Sequence, residues 1–203
     1  MIDLEVAIGR AVPRETVAKL ECYAALIAEE NKRQNLVSRS TLEHLWERHF
    51  LDSAQLVRFE PYPGASWLDI GSGAGLPGLV IAVLVSGPVT LVEPRRLRAE
   101  FLQRAAAELG LSVAVRLAKA ETLSGRFDSI TARAVASADR LLHLSAHLAH
   151  SDTIWVLPKG KSAKSELAEV RGNWHCEARV EPSVTDPESA ILVLSNVRAK
   201  GKK

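Results

Sequence analysis

Ser66-Trp-Leu-Asp-Ile-Gly-Ser-Gly-Ala-Gly75 decides the fold of this chain. A short apolar strand, Ser66 to Ile70, runs into glycines at positions 71, 73 and 75, and a second apolar stretch, Leu76 to Val85, follows at once. The order predicts strand, tight turn and helix, with Pro77 near the helix start where its missing N–H does no harm. Glycines in such a turn allow unusual backbone angles and let a ligand approach the main chain closely. The first free N–H groups of the following helix then face that ligand and favour a negative group. Pro88-Val-Thr-Leu-Val-Glu93 predicts a second strand ending, eighteen residues after Gly75, in an acid that can accept both ribose hydroxyls of a nucleoside.

Outward from this unit, strands and helices alternate. A helix over 95–109 closes at Gly110. Strands are expected over 113–117, 127–132 and 153–157, with a helix over 138–150 between the last two. A polar helix over 161–171 precedes strands over 175–180 and 190–197. Repeated alternation predicts an α/β, Rossmann-like fold, with a mostly parallel seven-stranded sheet and helices on both faces. Ligands bind such sheets at the carboxyl ends of the strands, where the strand order reverses. Before residue 63 the texture is helical. Val17, Leu20, Ala24 and Ile27 keep helical spacing, a second amphipathic stretch runs from Leu42 to Leu56, and Pro61-Tyr-Pro-Gly64 stops it. Residues 1–62 are thus expected to form an N-terminal helical extension of a 63–203 core within a single domain.

Bulk properties narrow the class. The 203 residues are 47% hydrophobic and 25% charged with a formal net charge of +2, which suits one compact domain and gives no sign of a nucleic-acid partner by itself. Two cysteines, Cys22 and Cys176, make neither a disulfide framework nor a four-ligand zinc site, and each is expected to be a small buried hydrophobe. The acidic start Met1-Ile-Asp-Leu-Glu5 is unlike a signal peptide, and no apolar run is long enough for a bilayer. A cytoplasmic monomer without membrane attachment is the expectation. His44 and His49, five apart, do not share a helix face, so no metal site is expected. His49, Asp52 and Ser53 fall on one short segment that cannot form a catalytic triad and is expected to dock the N-terminal helices onto the sheet.

Two features distinguish the cofactor. Gly73-Ala-Gly-Leu-Pro-Gly78 formally matches the G-x-G-x-x-G of nicotinamide enzymes. Asp69, two residues before the first glycine, would repel a pyrophosphate and attract the ammonium of S-adenosylmethionine, and the alternate glycines resemble the D-x-G-x-G-x-G motif of class I methyltransferases. The target atom is narrowed by absence. Ile130-Thr-Ala-Arg-Ala-Val135 has no Asn/Asp-Pro-Pro-aromatic motif for an exocyclic amine, and neither cysteine is placed as the nucleophile a cytosine C5 enzyme requires. A ring nitrogen with a free lone pair, such as guanine N7, needs no general base, only positioning. Arg133 at the end of the fourth strand, and Lys159 after the fifth, suit guanine acceptors or phosphates, or serve as ordinary ion-pair partners. Arg95, Arg96 and Arg98 are either a solvated helix face or part of an RNA footprint.

Taken in order, Asn35-Leu-Val, His49-Phe-Leu-Asp-Ser53, Leu68-Asp-Ile-Gly-Ser-Gly-Ala-Gly-Leu-Pro-Gly78, Leu91-Val-Glu-Pro, Phe101-Leu, Ala120-Glu121, Thr131-Ala-Arg-Ala-Val and Lys159-Gly160 resemble the ribosomal RNA small-subunit methyltransferase G family, formerly glucose-inhibited division protein B. The resemblance implies methylation of N7 of one guanine in 16S ribosomal RNA, in the loop linked to streptomycin response, on naked RNA or the 30S subunit. It implies cofactor contacts from Gly71, Leu76, Glu93, Ala120, Glu121 and Arg133, which join Asp69, Gly73 and Gly75 of the turn as the expected cofactor site, with Arg133 and Lys159 facing RNA and no catalytic residue assigned. A small-molecule methyltransferase and a non-enzymatic RNA-binding assembly factor are the alternatives. Lys119 stands where many members have Arg, and Glu188-Ser189 where members often carry one. If that Arg grips RNA in those members, the basic tail Arg198-Ala-Lys-Gly-Lys-Lys203 is the expected substitute.

Overall fold

The computed structural model describes residues 3–201; Lys202 and Lys203 of the basic tail lie outside them. Helices α1 (Leu4–Ile8), α2 (Arg14–Glu30) and α3 (Arg39–Leu42) lead into a π-helical turn, Trp46–Leu51, then α4 (Asp52–Ala54) and a 3-10 turn, Gln55–Phe59. The core follows as β1 (Trp67–Ile70), α5 (Gly78–Leu84), β2 (Val89–Val92), α6 (Arg96–Glu108), β3 (Val113–Arg116), β4 (Phe127–Thr131), α7 (Ala138–Ser145), β5 (Ala149–Lys159), α8 (Ala163–Asn173), β6 (Trp174–Pro182) and β7 (Ala190–Ala199).

The seven strands form one sheet in the order β3-β2-β1-β4-β5-β7-β6. Pairing is parallel from β3 through β5, whereas β7 runs antiparallel to both β5 and β6. β1 sits between β2 and β4, so the order reverses there and the carboxyl end of β1 opens onto a crevice. Side-chain alternation along β1 explains burial on both faces. Trp67 joins a cluster with Leu20, Tyr23, Ile27, Phe50, Leu79, Leu91 and Phe101, while Leu68 and Ile70 join an opposite one with Ile130, Leu141, Trp155 and Leu192. α2 therefore packs into the same core as the sheet.

Three expectations are corrected. The 42–56 stretch is not one helix but a succession of π, α and 3-10 turns. The helix over 138–150 ends at Ser145 and a short 3-10 turn, and β5 begins at Ala149, because Ala149 pairs with Phe127 before a register shift. Cys22 is exposed, since it neighbours but does not share the buried stripe of Leu20, Tyr23 and Ile27, and Cys176 is half-buried. Among the described residues, no helix is long and apolar enough to cross a membrane.

Candidate active site

The turn after β1 is held almost entirely by its own chain. The N–H groups of Gly71 and Ser72 donate to Val92 O, those of Gly75 and Leu76 to Ser72 O, that of Gly73 to Glu93 Oε2 at 2.8 Å, and that of Gly78 to Asp69 Oδ2 at 3.1 Å. The expectation that free N–H groups at the start of α5 await an anion is therefore corrected. Asp69 and Glu93 already supply acceptors, so the turn offers no ready cradle to a pyrophosphate. Gly71, Gly73 and Gly75 adopt φ of +69°, +57° and +83°, which explains the alternation. A Cβ on Gly78 would lie 2.5 Å from Asp69 Oδ2, so the close seating of α5 on that carboxylate also requires glycine.

Asp69 is 1% exposed, and its Oδ1 has no hydrogen-bond partner among the described residues. Burial pushes its carboxyl up to about 6, against the opposing influence of the nearby Ser72 hydroxyl, then the Gly78 N–H and the Arg133 charge. An unpartnered, buried carboxylate oxygen beside the turn fits an ammonium ligand. Glu93, 3% exposed, spends one interaction of each oxygen on the backbone, at Gly73 N and Arg95 N, both 2.8 Å. A carboxylate has about four acceptor positions, so capacity for ribose hydroxyls remains. Ala120 and Glu121 form a short 3-10 turn after β3, Ala120 buried and Glu121 exposed. These residues can hold S-adenosylmethionine.

The N-terminal helices reach this turn, which the sequence did not reveal. Tyr23 of α2 is fully buried, stacks on Phe50 with ring centroids 5.3 Å apart, and donates its hydroxyl to Ala74 O. Burial first, and the Asp69 charge second, hold the phenol well above its ordinary pKa, so it stays a donor. Its signal was ambiguous, because Tyr23 occupies the same helical stripe as Leu20 and Ile27. The arginine cluster divides by role. Arg96 pairs with Glu100 on α6 at 2.8 Å, whereas Arg98 donates to Asn35 O at 3.3 Å and its guanidinium lies over Gly73.

Beside the turn lies a cavity of about 590 Å³ lined by Asp52, Arg133 to Ser137, Pro158 to Gly160 and Ser189 among others. It adjoins the Gly-rich turn through Val135, whose Cγ2 sits 2.6 Å from where a Cβ on Gly71 would be. Arg133 lies two residues beyond β4 and reaches back to Asp52 Oδ2 at 3.4 Å. Lys159 lines the same cavity and takes the ion-pair role, one of the two expected for it. Its side chain is 8% exposed, and its ammonium is held by Glu166 Oε2 and Ala136 O, both at 2.9 Å, so it braces the cavity wall. Burial would raise the Glu166 carboxyl, but hydrogen bonds from Lys159, Ser162 and the Ala138 N–H keep it below its usual range. A smaller cavity of about 290 Å³, lined by Arg48, His49, Thr185 and Asp186, shares Asp52 and Ser189 with the first. Burial, with the Arg133 and Arg48 charges, lowers His49 to about 4, and neither ring nitrogen has a partner among the described residues. Among those residues no cluster of three metal-ligating side chains occurs.

A sheet with this strand order and β7 reversed, a Gly-rich turn after β1 and an acid closing β2 define a Rossmann-like class I methyltransferase fold. Solved structures agree on the fold. Magnesium protoporphyrin IX methyltransferase from Synechocystis PCC 6803 with bound SAM superposes with a TM-score of 0.62 at 16% identity, covering 93% of this chain and 98% of that one. A TehB-like SAM-dependent methyltransferase from Corynebacterium glutamicum gives 0.56 at 17% identity, covering 89% and 99%. Sequence comparison is more specific. The profile of the family described as rRNA small subunit methyltransferase G matches residues 16–190. Proteins named ribosomal RNA small subunit methyltransferase G are similar to this chain. That of Zymomonas mobilis is 45% identical over 95% of this chain and 91% of its own length, and that of Novosphingobium aromaticivorans 50% over 88% and 80%. The chain belongs to the rRNA small subunit methyltransferase G family.

Proposed function

We propose that this protein transfers a methyl group from S-adenosylmethionine to N7 of a guanine in 16S ribosomal RNA of the small subunit. Family membership over residues 16–190 carries the proposal. Asp69 and Glu93 would hold the ammonium and ribose ends of the cofactor, and Gly71, Gly73, Gly75, Leu76 and Ala120-Glu121 would line it. Bound there, S-adenosylmethionine supplies a methyl group on a sulfonium that leaves as a neutral thioether. The residues beside the acceptor cavity suit a target needing no proton removal. His49, lowered to about 4, is too weak a base to hold a proton at pH 7, and Lys159 is locked to Glu166. The protein's part is positioning and water exclusion. Residues 1–62 and 63–203 act as one domain in this proposal, since Tyr23, Asn35 and Asp52 all reach site residues.

The test is incubation with labelled cofactor and unmodified 16S RNA, or 30S subunits from a strain lacking the enzyme, with the product mapped by cleavage at N7-methylguanine. One modified guanine is expected; no transfer to either substrate overturns the proposal. Arg133→Ala should reduce kcat/KM about tenfold to hundredfold, the range for one charge-assisted contact, while the melting temperature changes little. Unaltered turnover would remove Arg133 from the site.

A further inference from the structure

We infer that Asp52 reads the Watson–Crick edge of the target guanine and steadies the positive charge the base acquires on methylation. The inference rests on the function proposed above. Asp52 belongs to His49-Phe-Leu-Asp-Ser53, a motif that the methyltransferase fold alone does not explain. It lines both cavities, and it is one of two acids on the larger one. The other, Glu166, is consumed by Lys159, Ser162 and the Ala138 N–H. Asp52 is fastened on one side only. Its Oδ1 accepts from Gln55 Nε2 at 2.9 Å and Thr185 Oγ1 at 3.1 Å, whereas Oδ2 meets just the Arg133 guanidinium, at a long 3.4 Å. Its side chain keeps 21% of its exposure, at the junction of the two cavities.

Guanine presents N1–H and an N2 amino group side by side, and Oδ2, whose long contact to Arg133 is readily given up, can accept from both at once, while Oδ1 stays with Gln55 and Thr185. O6 neighbours N1–H on the same edge and is an acceptor, matching the guanidinium that already lies beside Asp52. Adenine would set the N1 lone pair against the carboxylate and be rejected. Held in this way, the base turns its opposite edge, carrying N7, away from Asp52. The N7 lone pair forms the new bond to carbon while the carbon–sulfur pair stays on sulfur, so the positive charge passes to the guanine ring and no proton is released. That charge makes N1–H more acidic, and its hydrogen bond to Asp52 strengthens as the bond forms. An interaction that grows toward the transition state accelerates the chemical step rather than only tightening binding.

Small-subunit RNA carrying either guanine or inosine at the target, prepared by splinted ligation, separates the possibilities. Inosine keeps N7, O6 and N1–H but lacks the N2 amino group. Wild-type kcat/KM should fall about tenfold to hundredfold on the inosine substrate. Asp52→Asn should methylate both substrates at one low rate, with cofactor affinity by calorimetry within about twofold of wild type. Equal wild-type rates on the two RNAs overturn the inference without any variant. Persistent discrimination by Asp52→Asn, or loss of its cofactor binding, also overturns it, the latter in favour of a purely structural role. Failure of the wild type on the guanine RNA itself would remove the proposed function as well, so the two failures are distinguishable.

Discussion

Asp69 is buried with one oxygen unpartnered, and its raised pKa of about 6 means that the ligand-free protein binds a proton there at pH 5 that an ammonium ligand must expel. Cofactor affinity should therefore fall as pH drops below about 6. Calorimetry at pH 5.5 in buffers of different ionisation heat should register proton release that vanishes at pH 7.5 and in Asp69→Asn. Tyr23→Phe removes the donor to Ala74 O and leaves that carbonyl unpaired. It should cost about 1–3 kcal/mol of stability and weaken cofactor binding several-fold, read by thermal melts and calorimetry. Asp69 and Glu93 were legible in the sequence because an acid at a fixed offset from a Gly-rich turn has few other uses. Tyr23 was not, since an aromatic residue on an apolar helical stripe has the same signature whether its hydroxyl is used or not. The role of Lys159 stayed open for a related reason: sequence position gives the strand end, while only packing reveals that Glu166 takes the charge.

At the scale of elements, the amino ends of β1, β4 and β5 are joined by Asp128. It accepts from Ser66 N at 2.8 Å, Ser66 Oγ at 2.6 Å and His150 Nε2 at 3.0 Å. Although burial opposes ionisation, these bonds and one from Tyr62 hold its carboxyl well below the usual range. Its folded pKa is depressed, so the stability it contributes is present above about pH 4 and is lost as pH falls further. Asp128→Asn should lower the melting temperature at pH 7 and narrow the gap to wild type as pH is reduced toward 3. This junction was hidden because His150 looks like the end of a helix and Ser151-Asp152 like the polar break before a strand, yet β5 already spans all three. The π-helical turn at Trp46–Leu51 was hidden likewise. Periodicity shows an inward face but not a change in hydrogen-bond step, and the short segment that follows carries Asp52 to the cavity.

For the whole molecule, strand–helix alternation made the parallel half of the sheet legible, and the sequence-derived strands near 175–180 and 190–197 exist as β6 and β7. Their order did not follow, because alternating apolar residues record two buried faces but not the neighbours. The helical extension shares the larger hydrophobic cluster with the sheet, so it is not a removable appendage. Deleting residues 1–31 should uncover Phe50, Leu79 and Phe101. Loss of near-ultraviolet circular dichroism and a gain in dye binding should follow, with retention of a cooperative melt as the contrary result.

The position of β7 has one more consequence, for the order in which the chain is made. β6 is synthesised before β7 yet bonds to the sheet only through it. Until β7 emerges from the ribosome, the edges of β5 and β6 both stand unpaired, and pairing them directly with each other is the obvious misassembly. β7 must slot between two strands already in existence. The sheet of this protein is thus closed from its interior, and the nascent chain carries an open seam until that insertion is complete.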